Sequence, residues 1–392
     1  MAFDLKGEIA RATPELIELR RDLHRHPELS FQEHRTAALL AERLRAYGLE
    51  VRTGVGGTGV VAVLRGKAGG KTIALRADMD ALPVTEVSTP AYRSETPGTM
   101  HACGHDGHTA AVLTVAKVLA LHRDAFAGAV KFIFQPAEET ANGAEAMIEA
   151  GALDNPRIDG VLAAHLWNYL PVGTVGLRPG PLWASADELR ITVKGRGGHG
   201  AMPHQTIDPM PVAAHIVLAL QHLQTRETSP FEPVVLTFGA IQGGTAFNVI
   251  PSEVRLIGTL RVYDIKLRDS LVRRAEEIVA NICRAFRAEY AFEAKYLCPP
   301  VVNDAGMTSL VRSVMEKSPG RHVITADQST TGDDVAYFHL KAPGCYILVG
   351  SGNPARGLDK PHHHPQFDFD EGALPVVVEV LAASALEFLN RS

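Results

Sequence analysis

Three apolar runs in the first half of the chain each end in residues that carry chemistry. Residues 72–76 lead into Asp78 and Asp80, residues 129–134 into Glu138 and Glu139, and residues 160–164 into His165. Runs this short and this apolar predict strands. Between them lie stretches of helical length, 109–121 and 144–149. Strands alternating with helices predict an α/β layer architecture. In an open sheet of that kind, the functional site lies outside the carboxyl ends of the strands.

The flanking sequence extends this pattern. Helices are expected at 15–24, stopped by Pro27, and at 32–47, stopped by Gly48, followed by strands 49–53 and 60–65. From Asp187 the order changes to strand 187–194, helix 210–224, strands 233–241 and 253–263, helix 266–288 and strand 289–297. That β-α-β-β-α-β order is ferredoxin-like. After Pro299 and Pro300 the α/β pattern resumes with helix 305–317, strands 322–325 and 344–349, and a final helix from about Gly372. The expected fold is therefore α/β with two domains. Residues 1–184 and 299–392 would form a central mixed sheet with flanking helices, and 185–298 an inserted ferredoxin-like α+β domain. A chain of 392 residues suits that division. Gly54 to Gly59 matches a dinucleotide-binding fingerprint by letters, but a strand follows it, so it reads as a turn.

Several partner classes are excluded at this level. A formal net charge of -5 without a long basic run argues against nucleic acid. No apolar run is read as reaching membrane-spanning length, because Lys117 interrupts one helix and Glu379 and Glu387 the last. The charged N-terminal stretch shows no signal peptide, so a cytoplasmic location is expected. The four cysteines have no disulfide spacing. Cys283, Cys298 and Cys345 read as core thiols, whereas Cys103 has histidines around it.

Residues 100–108 (MHACGHDGH) combine a cysteine, three histidines and an aspartate. Cys and His suit zinc and similar ions. Cys103 and His105 are two apart and can point the same way, and Asp106 could orient a ligand histidine. The competing reading is a polar turn before a helix. Glu138 and Glu139 follow a strand and can divide metal binding from proton transfer, although adjacent glutamates also occur in solvated loops. His165 and the cluster His362, His363 and His364 read equally as strand-edge and loop residues when taken alone. His199, in a glycine-rich stretch, could donate to a developing oxyanion. Asn248 and Arg261 could hold a substrate carboxylate, or only shape a turn and a strand face. Together the candidates meet the needs of a two-metal hydrolytic site: several N, O and S ligands plus a carboxylate to take a proton.

In chain order, residues 76–83 (RADMDALP), 100–108, 134–139 (FQPAEE), 164–167 (AHLW), 197–204 (GGHGAMPH), 246–251 (AFNVIP) and 363–367 (HHPQF) resemble the M20 metallopeptidase family. The likeness is to its amidohydrolase branch, which includes hippurate hydrolases, N-acyl-amino-acid amidohydrolases and auxin-conjugate hydrolases. The resemblance implies that Cys103, His105, Glu139, His165 and His363 bind two divalent ions, zinc or else manganese, cobalt or nickel. It implies Glu138 as general base, and His199 as a lid histidine reaching the neighbouring subunit of a homodimer. Asp78 and Asp80 take supporting roles, and His101 and His108 supporting or structural ones. The implied reaction is hydrolysis of an N-acyl amino acid, with acetyl, benzoyl or a similar acyl group. A dipeptidase or carboxypeptidase on the same site, or a non-catalytic metal-dependent binding protein, are the alternatives. One departure stands out. Gly332, Asp333, Asp334 and Val335 replace a Ser-Glu-Asp-Phe-type motif, a change expected at the pocket wall.

Overall fold

A computed structural model describes residues 3–391. The chain forms two compact units. The first contains the residues up to Gly180, Val302–Asp327 and those from Asp334 on; the second contains Pro181–Val301 and Gln328–Asp333.

The first unit is built on an eight-stranded sheet. Its order is Glu50–Val55, Gly59–Arg65, Ala127–Gln135, Lys67–Asp78, Gly160–Pro171, Gly344–Gly352, Thr174–Leu177, His322–Thr325. The four central strands, from Ala127–Gln135 to Gly344–Gly352, run parallel, while antiparallel pairings flank them. The inner stretches of the central strands are continuous runs of buried residues, residues 72–78 and 160–166 among them, as a sheet covered on both faces requires. Their carboxyl ends carry Asp78 and Gln135, and the Pro136–Glu139 turn follows.

Two expectations change here. Strand 160–164 continues to Pro171, so His165 lies inside a strand rather than beyond it. Parallel pairing with Gly344–Gly352 carries the ladder past Leu348 opposite His165, which a local apolar pattern does not register. Residues 371–390 also meet the length and hydropathy of a membrane span, with a mean hydropathy of 1.8, and that segment is 67% buried in the fold. Its helix, Leu374–Asn390, is apolar nearly all round because it packs against three other helices, Leu5–Arg25, His105–Leu121 and Ala305–Glu316. Glu379, the charge that seemed to interrupt it, is buried and paired with Arg321, Lys6 and Ser318.

The second unit has an antiparallel sheet in the order Val235–Gln242, Glu253–Arg261, Ala186–Lys194, Glu289–Cys298. Along Ala186–Lys194, Leu189, Ile191 and Val193 are buried and pack in one cluster with residues of helices Pro209–His222 and Ile265–Ala285. Arg190 and Lys194 face solvent, giving the period-two alternation of a half-covered sheet.

Candidate active site

Cys103 and His105 are joined by Gly104, whose φ of 92° is open to glycine at little cost. The chain turns there into helix His105–Leu121, so His105 is the first helical residue. The His105 ring is then fixed from one side. Its Nδ1 lies 2.9 Å from the Asp80 carbonyl oxygen, which can only accept, so Nδ1 donates. Nε2 faces a group of acids, 3.7 Å from Asp78 Oδ2 and 3.8 Å from both Glu138 Oε2 and Glu139 Oε1.

His165 shows the same arrangement. Its Nδ1 donates to the carbonyl of Leu166 at 2.6 Å, and Nε2 lies 3.6 Å from Cys103 Sγ. Glu139 reaches a second histidine, with Oε2 3.4 Å from His363 Nε2. His363 holds a φ of 66°, rare for a non-glycine residue, and its N–H is tied to the Ala102 carbonyl at 2.7 Å. The overlapping ligand groups among the described residues include Cys103 with His105 and His165, Cys103 with Glu139 and His363, His105 with Glu138 and Glu139, and Asp78 with His105 and His108. Both glutamates lie beside His105 Nε2, and Glu139 also reaches His363.

These donors fit a divalent metal. His105 Nε2 and Glu139 Oε1 are both buried without a hydrogen-bond partner, a costly state that a shared cation relieves. Burial and the neighbouring Glu139 carboxylate push the Cys103 thiol well above its ordinary pKa. Burial, reinforced by Asp80 and Asp78, pushes the Glu139 carboxyl up to about 8. Burial and the neighbouring rings of His108 and His362 hold His165 well below the usual imidazole value. The acids are crowded and desolvated and the His165 imidazole is kept neutral, which suits a cation.

The supporting acids divide into three tasks. Asp78 binds His108 Nδ1 at 2.7 Å and Arg76 Nη1 at 2.8 Å. His108 Nε2 accepts the Leu166 N–H at 2.9 Å, so both nitrogens of His108 are engaged within the protein. Asp80 accepts the backbone N–H groups of Glu138 and Glu139 at 3.0 and 3.1 Å. Asp106 departs from expectation, because it orients no candidate ligand histidine. It accepts from Arg20 Nε at 2.9 Å and His24 Nδ1 at 2.7 Å. Burial disfavours its charge, yet Arg20 and His24 hold its pKa well below the carboxylate range. Arg20, buried and also paired with Asp368 and Glu371, makes Asp106 an anchor for the first helix.

In the second unit, His199 is exposed on a two-residue strand paired with Val249 and Ile250. The Ala201 N–H donates to its Nδ1 at 3.0 Å, which leaves Nε2 as the N–H that can donate outward. Asn248 is an exposed neighbour, its carbonyl accepting the Gly200 N–H at 2.8 Å. Arg261 does not join them. It ends strand Glu253–Arg261, whose other end, Glu253, is opposite Lys194, nearest the His199 turn. Nine residues of strand span roughly 25–30 Å, so Asn248 and Arg261 of one copy cannot grip a single carboxylate as expected. Arg261 Nη1 donates instead to the Ser185 carbonyl at 3.3 Å.

Residues 74–387 match Peptidase family M20/M25/M40. The chain belongs to this family. It is 44% identical over 301 residues to an N-acyl-L-amino acid amidohydrolase of Geobacillus stearothermophilus, covering 76% of this chain and 81% of that protein. It is 38% identical over 393 residues to thermostable carboxypeptidase 2 of Saccharolobus solfataricus, covering 99% and 98%. A crystal structure of a dinuclear metal-binding M20 peptidase from Bacillus subtilis superposes with a TM-score of 0.85 at 34% identity, covering 97% and 99%. This M20 chain is a metal-dependent amide hydrolase.

Three features of the M20 site were not assigned from sequence. His362 places Nδ1 3.8 Å from Cys103 Sγ and stacks on Trp167 with centroids 4.8 Å apart. The triple histidine pointed to that loop without separating its members. Asp334, within the 332–335 motif, is fully buried. It accepts from Gln135 Nε2 at 2.6 Å, Arg76 Nη2 at 3.2 Å and the Ala144 N–H at 2.9 Å, bracing the strand ends from below. Glu33, in the first helical hairpin, touches the Glu138 turn and carried no sequence signal of that role.

Proposed function

We propose that the chain hydrolyses the amide bond of N-acyl amino acids, releasing a carboxylic acid and a free amino acid. The observation that carries this reading is the pairing of Glu138 with Glu139 against His105 Nε2. Glu139 spans two histidines, His105 and His363, as a ligand would. Glu138 is the second carboxylate beside His105 Nε2, and the reading gives it the proton transfer. Cys103, His105, Glu139, His165 and His363 would hold two divalent ions, zinc or else manganese, cobalt or nickel, which supply Lewis acidity and lower the pKa of water. Glu138 takes a proton from the attacking water and passes it to the leaving nitrogen as the C–N bond breaks. His199 donates from Nε2 to the oxygen that becomes negative, with a neighbouring copy in a homodimer supplying it. A small acyl amino acid as substrate and a cytoplasmic location complete the proposal.

The 38% identical carboxypeptidase favours a second reading, peptide hydrolysis on the same site. A panel of N-acetyl and N-benzoyl amino acids and dipeptides separates the two, assayed by amine release on metal-stripped protein with zinc, manganese, cobalt or nickel restored. Turnover of dipeptides alone would reject the first reading. Glu138→Gln should lower kcat by about 10³-fold or more with metal content unchanged. Near-normal turnover in that variant would remove Glu138 from its role, and turnover of nothing in the wild type would favour a binding protein.

A further inference from the structure

The turn that carries Glu138 is held by its backbone. Three successive N–H groups, those of Ala137, Glu138 and Glu139, each point at a buried carboxylate oxygen. Asp80 takes the last two, and its Oδ2 also accepts from Ser30 Oγ at 2.7 Å. The Ala137 N–H goes to Glu33 Oε1 at 3.0 Å. Glu33 is fully buried, and the same oxygen accepts the Phe31 N–H at 3.0 Å, while Oε2 accepts from Thr58 Oγ1. Ala137 has a φ of 52°, a conformation an alanine keeps only where its surroundings hold it. The segment 28–33 reaches both sides of the site, since Leu29 also forms a parallel bridge with Ala81 next to Asp80.

We propose that Glu33 is a positioning residue for the hydrolytic reaction. Its carboxylate anchors the strained Ala137 peptide and so sets where the next side chain, Glu138, stands. The proposal rests on Glu138 being the base. Asp80 binds the Glu138 and Glu139 amides independently of Glu33. Loss of Glu33 should therefore let the turn relax at Ala137 without releasing the metal ligand Glu139. A displacement on the order of 1 Å at a catalytic group costs about 10²-fold in turnover.

What matters at Glu33 is reach, because two of its three partners are N–H groups that need only an acceptor oxygen. Glutamine supplies that oxygen at the same distance and can donate its amide to Thr58 Oγ1. Aspartate keeps the charge but is one methylene too short to span Phe31 and Ala137. The experiment measures kcat, KM and bound metal for Glu33→Gln, Glu33→Asp and Glu33→Ala in the metal-loaded full chain, with Glu138→Gln alongside. The expected order is kcat near wild type for Glu33→Gln, and a loss of about 10²-fold for Glu33→Asp and Glu33→Ala, with KM within threefold and metal retained. If Glu33→Ala does not fold, the comparison of Gln with Asp decides. Wild-type kcat in Glu33→Asp, equal damage by Gln and Asp, or loss through KM or metal alone would overturn the proposal. If Glu138→Gln keeps its turnover, the assignment of the base fails instead, and the two failures are told apart.

Discussion

His108 is the side chain whose replacement best tests how the site is assembled. Its geometry permits two views. With Asp78 and His105 it forms a group whose ligand atoms could hold an ion. Its hydrogen bonds say otherwise, because Nδ1 faces Asp78 Oδ1 at 2.7 Å and Nε2 accepts the Leu166 N–H at 2.9 Å. On that view His108 ties the end of one strand to the middle of another, one residue from His165. Replacing it with phenylalanine keeps a planar ring of similar size and removes both bonds. The bond to the ionised Asp78 is worth about 1.5–3 kcal/mol, and the buried Leu166 N–H left unpaired costs about 1–3 kcal/mol. Asp78 keeps Arg76, so its charge is not stranded. His108→Phe should therefore lose about 3–6 kcal/mol in the metal-stripped protein, read from urea unfolding with the m-value unchanged. Metal affinity should fall by about 10–100-fold, because the His165 ring hangs on the Leu166 peptide, while the number of ions bound at saturation stays the same. A stability loss under about 1 kcal/mol, or one ion fewer at saturation, would refute the bridging role.

Two further measurements follow from the buried charges. Lys131 is fully buried, donates to the carbonyls of Ala152, Asp154 and Pro156 at 3.0, 2.8 and 2.7 Å, and has its pKa pushed down to about 8 by burial. Between pH 8 and about 10.4 the unfolded chain binds more protons at this residue than the folded one, so stability rises with pH. Wild type should gain about 1–2 kcal/mol over Lys131→Met across that window, a figure reduced for solvent near the turn, and parallel denaturation curves at both pH values would contradict it. Chelation should abolish turnover and lower Tm, with a stability loss of about 4 kcal/mol for each ion that normally exceeds its Kd 1,000-fold. Both should return with added metal, and an unchanged Tm would speak against the orphaned His105 and Glu139 atoms as ligand atoms.

The parts of this site that were legible in the sequence are those whose meaning is local. Apolar runs followed by Asp78 and Glu138 announced strands and the residues near their ends, the run before His165 announced a strand but not its length, and the change of order at Asp187 announced a different sheet. What was not legible depends on partners far along the chain. Asp106 reads as an orienting acid beside His105, but its partner Arg20 lies 86 residues away. The role of Asp334 shows only through Gln135, 199 residues away. Arg261 and Asn248 are close in sequence, yet a nine-residue strand separates their ends. The final helix is long and apolar enough by composition for a membrane span, yet it is a core helix whose Glu379 pairs with Arg321 and Lys6 from other elements.

Asp80 shows why the site works as a unit rather than as five separate ligands. Its carbonyl sets the His105 ring, and its two carboxylate oxygens hold the amides of Glu138 and Glu139. One residue thus fixes three of the groups proposed to bind metal or move protons, each by a different acceptor atom. Burial makes its charge costly, but His105, Ser30 and the Glu139 amide outweigh that and keep its pKa below the ordinary aspartate value. It therefore stays an acceptor at neutral pH, and the geometry does not depend on a proton that catalysis moves. Such preorganisation is what allows a hydrolase to stabilise charge without rearranging its own dipoles during the reaction. The cost is concentration of risk, since a displacement of the Asp80 peptide shifts His105, Glu138 and Glu139 together. The braces at Ser30 and the bridge between Leu29 and Ala81 lie where they oppose that displacement.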